Sequence, residues 1–238
     1  QVKLNQNNCT IIGNGKSGYK YKKNITINSK NSGTLGRLIM GLLIDTPHKI
    51  RIIGDQSLSK RDFKRIAEPL KKFGADINLT KKGLPLTIKG NENLLPIDYL
   101  ENKGSAQVKS SIIFAGLKTR GKTFIKCKPS RDHTELLCKY LKLPLKVKRK
   151  KKYDLIEVEK VNKIKPLNYK IPSDISSAAF FIVLTALSKN SKLLIKNVNI
   201  NPSRTGIITI LKKMGVNIKF KNKKNYKGEL KADILIKS

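Results

Sequence analysis

Four stretches of the chain set hydroxyl, amide and guanidinium groups where a loop should run into a helix. The first is Asn31-Ser32-Gly33-Thr34-Leu35-Gly36-Arg37. Asn, Ser and Thr are natural N-caps, and Gly permits close backbone approach. Ordinary capping would account for such residues taken singly. The same free N–H groups and positive dipole end also suit a phosphate or carboxylate. The second stretch, Gly54-Asp55-Gln56-Ser57-Leu58-Ser59-Lys60-Arg61, has the composition of a plain loop but ends on an arginine. A guanidinium grips a carboxylate or phosphate through two parallel bonds, which an ammonium cannot do. The third is Gly104-Ser105-Ala106-Gln107-Val108-Lys109-Ser110, with Ser105 as a cap and Gln107 offering both a donor and an acceptor. The fourth is Ser130-Arg131-Asp132-His133-Thr134-Glu135, again a cap followed by an arginine. A lone His133 at such a place is expected to be a solvated first-turn residue and not a general base. Cys127 and Cys138 have no base beside them and are expected to behave as small apolar residues.

The elements that must position these groups come from a repeat. Arg61-Asp62 through Phe73-Gly74-Ala75-Asp76-Ile77 recurs 70 residues on as Arg131-Asp132 through Leu143-Pro144-Leu145-Lys146-Val147. A third copy closes with Met214-Gly215-Val216-Asn217-Ile218, and Thr10-Ile11-Ile12-Gly13-Asn14 returns as Thr87-Ile88-Lys89-Gly90-Asn91. A long, regular period means one supersecondary unit used several times. Each copy parses as βαβαββ. The first strands are expected near 24–29, 95–99 and 167–171, and the first helices near 34–45, 105–118 and 175–187. Second strands fall near 49–53, 122–127 and 191–196, and second helices near 62–73, 132–143 and 204–214. Two closing strands complete each unit, near 76–80 with 85–89, 145–149 with 153–158, and 217–221 with 231–236. The second helices carry one apolar face, as in Phe63, Ile66, Ala67 and Leu70. The first helices are apolar almost all round, so all three are expected to be interior. Residues 1–14 look like the closing strands of an earlier unit, so an internal fragment of a longer protein is expected. Asn162-Lys163-Ile164-Lys165-Pro166 is the best linker candidate. The four junctions occupy equivalent ends of their units, and stacking would gather helix N-termini into an electropositive surface for small anions.

Composition narrows the classes. The 238 residues include 51 Lys plus Arg against 16 Asp plus Glu, a formal charge of +35, yet 39% are hydrophobic, which excludes a disordered polybasic tail. Only 8 of the 51 are arginine, aromatics make up 6%, and Trp is absent, which argues against base readout and base stacking. No specific nucleic-acid partner is therefore expected, and the lysine-rich run 146–152 is expected to be a solvated hairpin. Three cysteines without a CxxC pair and two histidines argue against a disulfide framework and against zinc, and so for a reducing cytosol. The longest apolar stretch is too short to span a bilayer, and no signal-peptide pattern is present.

At these motifs the sequence resembles the 5-enolpyruvylshikimate-3-phosphate synthase family, in the branch often called class II. Besides the four junctions, Asp174-Ile175-Ser176-Ser177-Ala178-Ala179 matches a fifth motif, and the resemblance runs over nearly all 238 residues. It implies an α/β fold of the inside-out, enolpyruvyl transferase-like kind. Two lobes of repeated βαβαββ units would face a cleft, both incomplete here. Residues 1–165 would hold the end of one unit and two complete units of the first lobe, and 166–238 the first unit of the second. It also implies transfer of the enolpyruvyl group of phosphoenolpyruvate to the 5-hydroxyl of shikimate 3-phosphate with release of phosphate, on the route to chorismate and the aromatic amino acids.

No cofactor and no metal are implied. Carried over by motif, Gly33, Arg61 and Gln107 contact phosphoenolpyruvate. Ser105, Gln107, Ser130 and Arg131 contact shikimate 3-phosphate, with Asn31, Thr34 and Arg37 in support. Ala106 stands where the other branch has a serine. The family's acid and base residues would lie outside this window, so the window holds no catalytic residue and the chain alone is expected to be inactive. A cytoplasmic monomer with two small-molecule partners and no membrane is implied, with glyphosate competing for the donor pocket. Two alternatives remain. The UDP-N-acetylglucosamine enolpyruvyl transferases carry a reactive cysteine in the loop matching 54–60, where this chain has none. A noncatalytic basic protein would bind nucleic acid through its lysines.

Overall fold

The same small sheet is built three times, and its order follows from where each copy turns back on itself. The computed structural model describes residues 1–15, 21 and 23–238. Before the first copy, β1 (Val2–Asn5) and β2 (Asn8–Ile11) form an antiparallel hairpin with every residue exposed. The first copy runs β3 (Thr26–Asn28), α1 (Gly33–Leu42), β4 (Ile50–Ile53), a one-turn α2 (Gln56–Ser59), α3 (Lys64–Lys72), β5 (Asp76–Thr80) and β6 (Gly83–Lys89). β3 pairs in parallel with β4, and β6 lies antiparallel between β4 and β5. The parallel pair needs a crossover, and α1 provides it. The second copy gives β7 (Asp98–Glu101), α4 (Ala106–Gly116), β8 (Lys122–Cys127), α5 (His133–Tyr140), β9 (Leu145–Arg149) and β10 (Asp154–Glu159), in the order β7-β8-β10-β9.

The third copy gives α6 (Ile175–Leu187), β11 (Lys192–Asn199), α7 (Gly206–Lys213), β12 (Asn217–Tyr226) and β13 (Glu229–Lys237), in the order β11-β13-β12. Its first strand, expected near 167–171, is reduced to a single parallel bridge between Ser173 and Val198. Pro172 precedes that bridge and has no N–H to give a ladder.

By contact the chain falls into two compact units. One comprises Gln1–Pro129 and Pro144–Lys165, the other Ser130–Leu143 and Pro166–Ser238. In the first unit α3 buries Ile66, Ala67 and Leu70, as its periodicity requires, together with Phe63 just before it. α1 and α4 pack on one another at very short range. A Cβ built on Gly41 would come within 2.2 Å of the Ser111 carbonyl oxygen, so only glycine fits there. The Ser111 hydroxyl also donates to the Arg37 carbonyl at 3.3 Å.

In the second unit Ile175, Ala178, Ile182, Val198, Ile208, Ile234 and Ile236 form the core. The expectation that the helix at 175–187 is interior is corrected here. Phe180, Phe181, Leu184 and Leu187 on α6 are all exposed, Phe180 by 79% and Leu187 by 81%. α1 and α4 shield one another, whereas α6 packs mainly on the sheet of its own unit, through β11 and β13.

Gly41→Ala is expected to lower the stability of the first unit by about 1–3 kcal/mol, the usual cost of overpacking a filled contact. Chemical denaturation of the variant beside the parent checks this. An unchanged midpoint would mean that α1 and α4 do not meet there in solution.

Candidate anion-binding site

Local capping fixes the start of each helix at the first three junctions. Ser32 has extended backbone angles and accepts from the Leu35 N–H at 3.1 Å, capping α1. The Asn31 side chain turns away and donates to Asp55 Oδ2 at 2.6 Å. Asp55 Oδ1 accepts from the Leu58 N–H at 2.7 Å, so the supposed plain loop contains the capped turn α2. Hydrogen bonds from the Leu58 backbone and the Asn31 amide hold the Asp55 carboxyl below the ordinary aspartate range. Ser105 caps α4 from the Val108 N–H at 3.4 Å. The loop before it is held by buried Glu101, which accepts from the N–H groups of Lys103 at 3.1 Å and Gly104 at 2.7 Å.

These ends converge within the first unit. A methyl built on Gly33 would lie 3.3 Å from Arg37 Nη1, 3.5 Å from Arg61 Nη1 and 3.5 Å from Leu58 Cδ1. Arg37 Nη1 donates to Gln107 Oε1 at 2.7 Å, and Gln107 Nε2 donates to Thr34 Oγ1 at 3.2 Å, which fixes the orientation of that amide. Arg37 also donates to the Asp62 carbonyl at 3.2 Å and lies over the Phe63 ring, 5.0 Å from its centroid. It is only 6% exposed. Burial lowers its pKa, and the neighbouring Arg65 and Arg61 charges lower it further, opposed only by Asp62. The Nε atoms of both Arg37 and Arg65 are buried without a hydrogen-bond partner among the described residues. Three guanidiniums of like charge, with directed donors left over, make a corner suited to a small anion.

Of the residues singled out from the sequence, Asn31, Gly33, Thr34, Arg37, Arg61, Ser105 and Gln107 therefore lie in one unit at adjoining helix starts. Ser130 and Arg131 lie just before α5, in the other unit. There Ser130 Oγ is buried without a partner among the described residues, and Arg131 is exposed. His133 departs from expectation. It is not a merely solvated first-turn residue, because Nδ1 lies 2.6 Å from Glu229 Oε1. Glu229 is 96 positions away, a pairing that no local pattern reveals. Asp174 caps α6 and is bound by Arg204, which also reaches Ser176 Oγ at 2.6 Å. Sequence reasoning missed Arg65, although its place one helical turn after Arg61 was a visible signal. Cys127 and Cys138 are buried, and burial with the nearby Glu135 charge pushes the Cys138 thiol up to about 12, so it is no nucleophile. Among the described residues no three His, Cys, Asp or Glu side chains group as metal ligands would, and no helix is long and apolar enough to cross a membrane.

Residues 1–233 match the family model described as EPSP synthase (3-phosphoshikimate 1-carboxyvinyltransferase). The 3-phosphoshikimate 1-carboxyvinyltransferase of Caldicellulosiruptor bescii is 41% identical over 240 residues, spanning 100% of this chain and 55% of that protein. That of Clostridium tetani is 40% identical, spanning 96% of this chain and 51% of its own length. Among solved structures, an EPSP synthase from Acinetobacter baumannii superposes with a TM-score of 0.85 at 39% identity, covering 100% of this chain and 53% of that one. The chain thus spans about half the length of the curated relatives it matches.

Replacing Asp55 with alanine is expected to lower the melting temperature by removing the cap of α2 and the anchor of Asn31. The folded-state pKa of Asp55 is depressed, so its stabilising effect is complete above the ordinary aspartate pKa and fades as the pH falls through the lower folded value. Melting curves of parent and Asp55→Ala across that range should converge in acid. A gap that stays constant with pH would remove the carboxylate from the account.

Proposed function

The chain belongs to the EPSP synthase family, and from that premise we propose that it supplies substrate-binding surface to an enzyme that moves the enolpyruvyl group of phosphoenolpyruvate onto shikimate 3-phosphate. The 5-hydroxyl gives its proton to a base as its oxygen adds to C2 of the enol and C3 takes a proton from an acid. The C2–O bond to phosphate then breaks, C3 gives up a proton, and the enol ether and inorganic phosphate remain. Both substrates are multiply anionic, and the observation that carries the reading is the convergence of Gly33, Arg37, Arg61 and Gln107 where positive charge is in excess. In this reading Arg61 grips the donor, and Gln107, aligned by Arg37 and Thr34, spans donor and acceptor. Ser105, Ser130 and Arg131 bind shikimate 3-phosphate. The proton-transfer groups come from outside these residues, so residues 1–238 alone release no phosphate from the two substrates. Residues 1–165 belong to one lobe and 166–238 to the other of a monomer working in the cytoplasm.

The rival readings fare worse on particular residues. The absence of cysteine from 54–60 counts against a UDP-N-acetylglucosamine enolpyruvyl transferase. A lysine-driven nucleic-acid binder has no use for an arginine buried as deeply as Arg37.

In a full-length enzyme carrying this sequence, Arg61→Lys is expected to raise the KM for phosphoenolpyruvate about tenfold, because an ammonium cannot reproduce a two-point contact. Steady-state kinetics with the donor varied checks it, and an unchanged KM takes Arg61 out of the site. At Gly33 the added methyl of an alanine would crowd Arg37 Nη1 at 3.3 Å and touch Arg61 Nη1 at 3.5 Å. The parent is expected to be inhibited by glyphosate, which is longer than the donor. Gly33→Ala is expected to weaken that inhibition by about tenfold or more, with a smaller rise in the donor KM. A resistant parent, or equal losses for inhibitor and donor, would contradict this.

A further inference from the structure

A second polar cluster lies in the unit formed by 130–143 and 166–238 and is unused by the mechanism. Glu229, at the start of β13, is 7% exposed and pairs with His133. Its other oxygen accepts from Asn199 Nδ2 at 3.1 Å and from Asn201 Nδ2 at 3.4 Å. Asn201 is 2% exposed, and the same amide donates to Asp132 Oδ1 at 2.8 Å. Its own carbonyl accepts from the N–H and the hydroxyl of Ser203, at 2.8 and 2.6 Å, so its orientation is fixed from behind. Burial by itself would push the Glu229 carboxyl up. The bonds from His133, Asn199 and Asn201, with the charge of His133, outweigh it and leave the group below the ordinary glutamate range.

The cluster is directed at one place, the two residues that open α5. Asp132 stands at the N-cap of that helix, where an aspartate side chain ordinarily accepts from the first turn, yet it makes no capping bond. A strong capping residue has been diverted to Asn201. Further along the same face of the helix, Gly228 at the β12–β13 turn comes so near that a Cβ there would meet the Leu136 carbonyl at 2.9 Å. Ser130 and Arg131, with the buried and unpartnered Ser130 hydroxyl, immediately precede this anchored pair.

We propose that Glu229, acting through His133 and Asn201, is a positioning residue that holds the Ser130–Arg131 segment in the geometry needed to bind the phosphate of the acceptor substrate. The inference rests on the assignment of Ser130 and Arg131 to shikimate 3-phosphate binding. Neither Glu229 nor Asn201 touches ligand. Their part is to keep the backbone of 130–133 from relaxing, which matters because misplacement by an ångström at a binding group is costly.

The test is steady-state kinetics of a full-length enzyme carrying this sequence, with Glu229→Gln, His133→Gln and Arg131→Ala made separately and Glu229→Gln combined with Arg131→Ala. Glu229→Gln keeps the volume and removes the charge, and His133→Gln reaches the same contact from the helix side should the first variant fold poorly. Each is expected to raise the KM for shikimate 3-phosphate about tenfold while leaving the KM for phosphoenolpyruvate within about twofold. In the Arg131→Ala background, Glu229→Gln is expected to add little, since both changes disable one unit. A general loss, with both KM values rising alongside a lower melting temperature, would overturn the positioning role. So would an unchanged shikimate 3-phosphate KM in Glu229→Gln and His133→Gln while Arg131→Ala raises it. An unchanged KM in Arg131→Ala would instead sink the phosphate reading, and this inference with it.

Discussion

A buried guanidinium among its own kind is the constraint around which the first unit is arranged. Arg37 is costly to hide from water, and the surrounding arginines make it costlier. It is kept in place by a set of contacts from three directions. Gln107 takes one nitrogen from the α4 side, the Asp62 carbonyl takes another, and the Phe63 ring faces the plane. Its own carbonyl accepts the Ser111 hydroxyl. Two helices and the lead-in to a third are thereby referred to one side chain. Gly41, one turn farther along α1, lets the helices approach closely enough for those reaches to close.

Legibility in the sequence stopped where partners became distant. Helix 175–187 and strands 122–127 and 145–149 stand within a residue of the bounds read from periodicity, because a run of alternating or helically spaced apolar residues carries its own address. Ser32 and Ser105 as caps were equally local. By contrast, Arg37 and Gln107 are 70 positions apart, and His133 and Glu229 are 96 apart. Glu101 reads as a surface acid until its loop folds over it. The turn at 56–59 was hidden because four residues are too few to show a period, although Asp55 was a visible cap. The motifs that carried the family resemblance did mark the right helix starts. They did not reveal that Asn31 serves Asp55 and that Thr34 serves Gln107.

One scaffold repeated three times leaves its differences at the junctions. The first helices of the copies begin on Ser32, Ser105 and Asp174, each accepting from the first turn. The first turns themselves diverge: a glycine beside two arginines in α1, a glutamine held by an arginine in α4, a serine bound by Arg204 in α6. The sheets supply equivalent platforms, and chemistry varies by single side chains at their ends, where a change leaves the core untouched. The third sheet has its own irregularity. Asp233 on β13 binds Asn197 on one side and Asn222 on the other, both at left-handed backbone positions where the ladders slip.

For residues 1–238 on their own, the exposed side of α6 also sets how the chain behaves in solution as a colloid. Phe180, Phe181, Leu184 and Leu187 make a contiguous oily strip on a molecule whose formal charge is +35. Self-repulsion keeps such strips apart at low ionic strength. Salt shortens the reach of that repulsion to about 10 Å at 0.1 M, while the attraction between apolar faces is undiminished. The chain therefore carries a clumping tendency that its lysines hold in check only while the medium is dilute in ions. A phosphate-rich buffer, which both screens charge and strengthens apolar association, is the medium least kind to it.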